Sequence, residues 1–233
     1  MIKTQLVAAS VISKVLAGAS LTGVLQEVWR ADLALSRQQR GAIQDLSYGV
    51  LRFYGQLEAI LSLLLKKSLR DKSLHHLLLV SLYQLQYSKA LPHAVVDQAV
   101  SASRSFVHGK GMQGLVNAVL RSFIRQRDSL LKRAAENEVG RYSHPQWWID
   151  KLRWQYPQYF QAILEADNKR PPMTLRVNQR KISVEAYRKL LAEKTMHTEL
   201  LDSGALQLSQ PVMVESLPGF AEGLVTVQDA GAQ

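Results

Sequence analysis

Residues 72–88 read KSLHHLLLVSLYQLQYS, and this stretch decides the fold of the chain. Its leucine, valine and tyrosine side chains cover almost the whole circumference of a helix. Only Ser81, Gln84 and Ser88 form a narrow polar strip. A helix that is apolar on nearly every side has to be surrounded by other elements. We therefore predict that residues 72–88 form the central helix of a bundle.

The chain on both sides of this helix predicts its neighbours. Apolar residues keep a three- and four-residue spacing from residue 3 to residue 133, and prolines are nearly absent. The predicted helices are 3–17, 20–30, 37–54, 56–66, 93–106 and 111–133. Ser36 and Gln39 form the pattern of a capping box, and Pro92 fits the first turn of a helix. We expect a helical bundle over residues 1–135.

Two boundaries follow the bundle. The first is the polar, acidic stretch 134–140. Beyond it, Ser143 and Pro145 predict a new helix, with the serine as its cap and the proline in its first turn. A further helix is predicted over residues 158–168, so that residues 141–170 form linking helices. The second boundary is the stretch NKRPP at 168–172.

The pattern changes after this second boundary. Residues 173–177 predict a strand, residues 184–193 a helix, and residues 205–208 and 224–227 two short strands between Pro and Gly turns. Residues 171–233 are therefore predicted to form a small α+β subdomain. The expected fold class is mainly α, with a helical bundle, a linking helical segment and this subdomain.

Positive charge is concentrated in the predicted bundle. The 233 residues include 29 Lys and Arg against 19 Asp and Glu, a net charge of +10. Residues 1–135 hold 18 against 7, a net charge of +11, whereas residues 136–170 are neutral and residues 171–233 carry −1. This distribution predicts an anionic partner for the bundle, either nucleic acid or another polyanion.

Two surface patterns each leave two interpretations open. Arg121, Arg125 and Lys132 cluster within about 40° on one side of the last bundle helix. They form either a solvated outer face or a stripe that contacts phosphates. Trp147 and Trp154 share a face of the following helix. Such rings can stack on bases, but packing between two domains is the favoured interpretation, because aromatic side chains dominate buried interfaces.

Several classes of site are excluded by the residues themselves. The chain has no cysteine, which excludes disulfides, Cys-ligated zinc, iron–sulfur clusters and thiol nucleophiles within it. It also has no Gly-rich phosphate loop, no Gly-x-Ser-x-Gly elbow and no His-Glu-x-x-His motif. His75 and His76 are adjacent, so on a helix they diverge by about 100°. We predict no catalytic, cofactor-binding or metal-ligating residue.

The start of the chain resembles a signal peptide but does not fit one. Gln5, Ser10 and Lys14 interrupt the apolar region that such a peptide needs. No apolar stretch is long enough to span a bilayer. We expect a cytoplasmic protein without a membrane partner.

Short segments resemble known families. The segments SYGVLR (47–52), LYQLQY (82–87), PHAVVDQAV (92–100) and LVNAVLR (115–121) resemble the signature segments of the NusB-like RNA-binding domain. The later segments YSHPQW (142–147), NKRPPMTLRVN (168–178), LPGFAEG (217–223) and VTVQDAGAQ (225–233) resemble the bacterial RsmB (Sun/Fmu) family. Members of that family are 16S rRNA cytosine-C5 methyltransferases.

The resemblance implies what the chain lacks. In that family, the last segment leads into a Rossmann-like methyltransferase domain with a Gly-rich S-adenosylmethionine loop and two catalytic cysteines. None of these is present here, so the resemblance implies an N-terminal fragment that is inactive alone and holds no cofactor. S-Adenosylmethionine is expected as the cofactor of the full-length protein. Whether this chain counts as an enzyme stays open, because it lacks the catalytic residues. The expected partners are the small-subunit rRNA and the protein's own C-terminal catalytic domain.

Two alternatives stay open from the sequence. The first is a NusB-like transcription antitermination factor that binds RNA without catalysis. The second is a helical interaction domain whose basic face meets an acidic protein.

The candidate RNA contacts are basic side chains. Those in the bundle are Arg37, Arg40, Arg52, Lys110, Arg121 and Arg125. Those expected nearer the missing catalytic site are Arg170, Arg176 and Arg180. Arg52 and Arg121 end two of the matched segments and fit a structural role equally well.

Overall fold

The computed structural model describes residues 2–106 and 111–233. The chain forms two units, Met1–Asn168 and Lys169–Gln233. Seven helices open the first unit, in order α1 (Ile2–Leu16), α2 (Leu21–Ala31), α3 (Arg37–Arg52), α4 (Tyr54–Leu64), α5 (Lys72–Tyr87), α6 (Pro92–Ser103) and α7 (Gln113–Ala134). They confirm the predicted mainly helical fold, with ends that differ by a few residues. The capping box of Ser36 and Gln39 and the first-turn position of Pro92 are also confirmed.

Helix α5 lies at the centre of the bundle, as predicted. It contacts α1, α3, α4, α6 and α7. Its buried residues run without interruption from His76 to Leu85. Burial of leucine side chains contributes roughly 1.5–3 kcal/mol each relative to exposure, so the burial of this helix stabilises the bundle.

The polar strip of α5 is buried rather than solvated. Ser81 donates a hydrogen bond to the carbonyl of Leu77 at 2.8 Å, which satisfies its hydroxyl inside its own helix. Gln84 accepts a hydrogen bond from Nε2 of Gln5 on α1, with the two atoms 2.6 Å apart. The strip therefore joins α5 to α1 through a buried amide pair.

Helices α3 and α5 meet at a glycine. A Cβ atom built on Gly49 would lie only 2.0 Å from Cζ of the Tyr83 ring. The Tyr83 ring itself packs against Phe53 and Tyr87, with centroid distances of 6.4 and 5.4 Å. Glycine is required at this crossing because any side chain would occupy the position of the ring.

A short helix begins within the stretch predicted as a polar break. Helix α8 (Glu138–Tyr142) begins at Asn137, whose side-chain oxygen accepts a hydrogen bond from the Val139 N–H at 2.8 Å. The helix packs against α4. Residues 135–137 break the chain between α7 and α8, so the break is shorter than the predicted stretch 134–140. Capping by Asn137 and packing on α4 stabilise α8, which the composition of that stretch does not predict.

The start of the next helix also differs from the prediction. Ser143 does not cap α9 (Gln146–Gln155); it ends α8 in the left-handed region with a φ of 56°. Its hydroxyl accepts a hydrogen bond from the Gln56 N–H at 3.2 Å. The physical reason is Pro145, which disfavours helical geometry at the preceding residue, so α9 begins only after the proline. Helix α10 (Phe160–Asp167) follows within the range predicted for it.

The second unit is an antiparallel sheet with one helix. Its elements are β1 (Thr174–Val177), α11 (Val184–Glu193), β2 (Thr198–Leu200), β3 (Leu206–Leu208) and β4 (Val225–Val227), with strand order β2-β3-β1-β4. Leu175 and Val177 of β1 pack with Tyr187 and Leu191 of α11 in one core. Strand β2 is missing from the prediction, because only one of its three residues is even half-buried. The other elements are as predicted.

Candidate nucleic-acid interface

The arginines of α3 lie in three different settings. Arg37 is exposed at the start of the helix. Arg40, one turn later, is half-buried and places its guanidinium 5.7 Å from the centre of the Trp29 ring. Arg52 ends the helix and is also half-buried. Arg40 is therefore held by a cation–π contact, and Arg52 lies where the helix dipole favours a positive charge.

Two arginines of α7 present their charge to solvent. Nε of Arg121 donates to Oδ1 of Asn117 at 2.8 Å, and Nη2 of Arg125 donates to Oγ of Ser122 at 3.1 Å. Both arginines are exposed and one turn apart, and neither takes part in an ion pair of the described residues. Each hydrogen bond orients one arginine side chain. The other N–H donors of each guanidinium can still bind an anion.

The predicted stripe on α7 is shorter than its sequence suggests. Gln126 has non-helical dihedral angles (φ −116°, ψ 18°), which kink the helix. Lys132 lies beyond the kink, so regular helical periodicity no longer places it in line with Arg121 and Arg125. Lys110, another predicted contact, lies outside the described residues.

The second unit brings two predicted arginines together in one cleft. Arg176 of β1 and Arg180 of the following turn line a surface cleft of about 390 Å³. Its other walls are Val177, Asn178, Gln179, Gly223 and Thr226. Arg170 is exposed before β1 and does not line this cleft.

Asn178 builds the floor of the cleft. Its Nδ2 donates to the carbonyl of Gly223 at 3.0 Å, and its Oδ1 accepts from the Arg180 N–H at 3.3 Å. Gly223 has a φ of +70°, in the region that favours glycine. Nearby, Lys181 donates from Nζ to the carbonyl of Glu222 at 2.6 Å. The asparagine thus ties the turn that carries Arg180 to the loop before β4.

The cleft has the chemistry of an anion site. Both arginines are exposed, and Nη1 of Arg176 donates to Oε1 of Gln228 at 3.3 Å, which steadies its side chain. No carboxylate lines the cleft among the residues that the structure describes. One guanidinium group can donate two parallel N–H···O hydrogen bonds to two oxygens of a phosphate. The arrangement therefore fits a phosphate or another small anion.

S-Adenosylmethionine does not fit this cleft. The sulfonium and the ammonium of that cofactor outnumber its one carboxylate, so the molecule is a net cation that two arginine side chains disfavour. No acidic side chain within the described part of the lining is present to offset the repulsion.

Sequence reasoning finds the two arginines of the cleft but not their partners. Thr226 pairs with Arg176 across β1 and β4, although fifty residues separate them. Asn178, Gly223 and Lys181 are also absent from the predicted site. The pairing register brings these residues together, and no local pattern in the sequence indicates that register.

A cluster of titratable groups lies between α4 and α5, partly exposed at Glu58 and His75 and buried at His76. Nε2 of His75 is 2.7 Å from Oε1 of Glu58, whereas His76 is buried with its Nδ1 unpartnered among the described residues. Burial raises the pKa of Glu58, but hydrogen bonds from His75 and Tyr54 outweigh it and hold the pKa below its usual value. Burial lowers the pKa of His76. The two histidines diverge, with their rings edge to face.

The described ranges hold neither a metal site nor a membrane-spanning helix. Across residues 2–106 and 111–233, no group of three or more His, Asp or Glu side chains is arranged to hold a metal ion. In the same ranges, no helix has both the length and the apolar character that crossing a bilayer requires.

Comparison with known families defines the class of protein. The family model of the NusB family matches residues 2–125, and a second model, the ferredoxin-like domain of the RsmF/B-like methyltransferases, matches residues 144–215. The chain therefore belongs to the NusB family and continues into a ferredoxin-like domain. This confirms the resemblance of its bundle segments to the NusB-like domain.

The curated relatives that the chain matches are named as methyltransferases of ribosomal RNA. The chain is 40% identical to ribosomal RNA small subunit methyltransferase B of Pectobacterium carotovorum over 97% of its own length and 53% of the relative's. The corresponding protein of Pasteurella multocida is also 40% identical, over 100% and 52%. The probable methyltransferase B of Coxiella burnetii is 40% identical over 86% and 47%. These matches confirm the resemblance of the later segments to the RsmB family. The chain spans about half the length of the curated relatives it matches.

A solved structure shares the fold. The crystal structure of PH0851 superimposes with a TM-score of 0.59 at 15% identity, over 98% of this chain and 53% of that chain. At this level of identity the likeness shows a common fold alone.

Proposed function

We propose that this chain is the RNA-binding region of a S-adenosylmethionine-dependent 16S rRNA (cytosine-C5) methyltransferase. In this proposal it positions ribosomal RNA of the small subunit for a catalytic domain that is absent from these 233 residues. The three-part division into 1–135, 141–170 and 171–233 belongs to the same proposal, in which basic side chains of the bundle and of the last part both contact the RNA backbone. The cofactor and the reaction belong to the catalytic domain.

One observation carries the proposal. Arg176 and Arg180 converge on a single cleft without a carboxylate in its described lining, in a chain whose relatives are named as rRNA methyltransferases. The exposed pair Arg121 and Arg125 adds a second cationic surface on the bundle. Contacts of this kind bind the phosphate backbone without reading sequence, which suits a region that delivers RNA to a separate active site.

The remaining candidates have different parts in the proposal. Arg37 and Arg170 are exposed and can reach a phosphate directly. Arg40 and Arg52 are half-buried, so their contribution is mainly to the structure of the bundle and to its electrostatic potential. Lys110 stays a candidate on its charge alone.

The alternative of a NusB-like antitermination factor has less support. Such a factor needs only the bundle, whereas the whole length of this chain, including residues beyond the bundle, matches the methyltransferase B of Pasteurella multocida. The match of residues 144–215 to the ferredoxin-like domain of methyltransferases favours the same choice.

Substitution of the cleft arginines tests the proposal. The double variant Arg176→Gln/Arg180→Gln should weaken binding of a small-subunit rRNA fragment. For this variant, the slope of log affinity against log salt should be less negative by about 1.5, because the variant neutralises two fewer phosphates. The matched control is Arg188→Gln/Lys189→Gln on α11, which removes the same charge from the same unit outside the cleft. Equal effects of the two pairs would contradict a specific role for the cleft.

A further inference from the structure

Helix α9 has one buried face and one exposed aromatic face. Ile149 and Leu152 are buried in a cluster with Tyr142 and Leu164. On the other side, Trp147 is 66% exposed and Trp154 is 81% exposed. The two tryptophans are seven residues apart, which places them on the same side of the helix and about 10 Å apart along its axis.

This exposure is unusual for tryptophan. The side chain has 150–250 Å² of surface to bury, and burying it is strongly favourable. The described residues include six large aromatic side chains with an exposed surface, and four of them lie between residues 147 and 159, namely Trp147, Trp154, Tyr156 and Tyr159. Such a concentration of exposed apolar rings marks an interaction surface rather than ordinary surface scatter.

The charges around this face identify the occupant. Oδ1 of Asp150 accepts hydrogen bonds from Nη1 of Arg153 at 3.1 Å and from Nε2 of Gln146 at 3.0 Å, so this carboxylate is engaged with groups other than Lys151. Arg153 also pairs with Glu138. Lys151 lies one turn after Trp147 and one turn before Trp154, is exposed, and has no carboxylate partner in the described part of the chain. The face thus presents two indole rings on either side of an exposed ammonium group that forms no ion pair within the described residues.

We propose that this face, formed by Trp147, Lys151 and Trp154, binds unpaired nucleotides of RNA by stacking bases on the indole rings. The phosphate between two stacked bases meets the ammonium of Lys151. Packing against another protein domain is the interpretation that the aromatic content alone favours, but it would bury Lys151 without a counter-charge, which is costly. A nucleotide supplies both a flat ring and a negative charge, so the position of Lys151 between the two rings favours RNA. The inference rests on the proposed function and adds to it a second mode of binding, to single-stranded rather than helical RNA.

Intrinsic fluorescence of the 233-residue chain tests this inference. A single-stranded RNA of eight nucleotides should quench the tryptophan emission, and an abasic strand of the same length and charge should not. The variant Trp147→Ala/Trp154→Ala should lose the quenching and bind the oligonucleotide about tenfold more weakly for each ring removed. Because both side chains are exposed, the variant should keep the unfolding temperature of the parent chain. Phe substitutions at the same positions retain a ring and should lose less affinity.

A matched control and two distinct failures complete the test. Tyr48→Ala removes an exposed aromatic ring of α3 and should leave oligonucleotide affinity unchanged. Equal affinity for the RNA and the abasic strand, together with full affinity of the Trp147→Ala/Trp154→Ala variant, would overturn the stacking face. In that case salt-dependent binding of rRNA would survive, and the proposed function with it. Failure of the chain to bind any RNA would overturn both.

Discussion

The contact between Gly49 and Tyr83 gives the sharpest test of the packing. Replacing Gly49 with alanine puts a methyl group 2.0 Å from Cζ and 2.2 Å from the hydroxyl oxygen of Tyr83. Carbon atoms in contact are ordinarily about 3.5–4.0 Å apart, so the ring has to move by roughly 1.5 Å. Overpacking of this size costs about 3 kcal/mol, at the upper end of its usual range, because the ring is buried against Phe53 and Tyr87.

Helix propensity offsets part of this cost. Alanine is better than glycine inside a helix by about 1 kcal/mol, which leaves a net destabilisation of about 2 kcal/mol for Gly49→Ala. For a chain of this length, that corresponds to a melting temperature lower by about 4–8 °C. The control is Gly41→Ala on the same helix, where nothing lies within 4 Å of the added methyl group. It should raise the melting temperature by about 2–4 °C.

Thermal and urea unfolding, followed by far-UV circular dichroism, measure both variants. Shifts of opposite sign for the two glycines are the expected result. In a Tyr83→Leu background, the penalty of Gly49→Ala should shrink, because the atoms that the methyl group meets are gone. A Gly49→Ala protein as stable as Gly41→Ala would refute the close approach of α3 and α5.

Two further predictions concern buried polar groups. Burial and the neighbouring His75 lower the pKa of His76, so the unfolded chain takes up a proton below about pH 6.5 that the folded chain rejects, and stability should fall as the pH falls from 7 to 5. Urea unfolding across this range should show a smaller decline for His76→Gln than for the parent chain; parallel curves would contradict the shift. Gln84→Leu leaves Nε2 of Gln5 buried without its acceptor and should cost about 1–3 kcal/mol. In urea unfolding the double variant Gln5→Leu/Gln84→Leu should be less destabilised than the sum of the two single variants, and strict additivity would argue against the amide pair.

The sequence predicts the bundle well because its signals are local. Residues 72–88 are apolar on nearly all sides, and the capping box at Ser36 and the proline at position 92 are each read within a few residues. What it misses is decided by packing. Helix α8 has only five residues and depends on α4, and Ser143 ends that helix because Pro145 delays the next one.

The candidate site shows the same contrast between local signals and long-range packing. Arg176 and Arg180 are visible in the sequence as cations beside a predicted strand. Thr226 and Gly223 join them only through the antiparallel pairing of β1 with β4, which has no sequence signature. The kink at Gln126 likewise takes Lys132 out of the predicted line on α7, since helical periodicity assumes a regular helix. Local chemistry is therefore predictable, and its assembly into a site is not.

Binding of the unmodified chain to a small-subunit rRNA fragment, measured by filter retention over 50–200 mM salt, shows whether its basic side chains hold RNA. If basic side chains grip the RNA backbone, log affinity should fall linearly with log salt, with a slope of about −3 or steeper for four or more neutralised phosphates. A flat response, or no retention of the RNA at the lowest salt concentration, would contradict the claim.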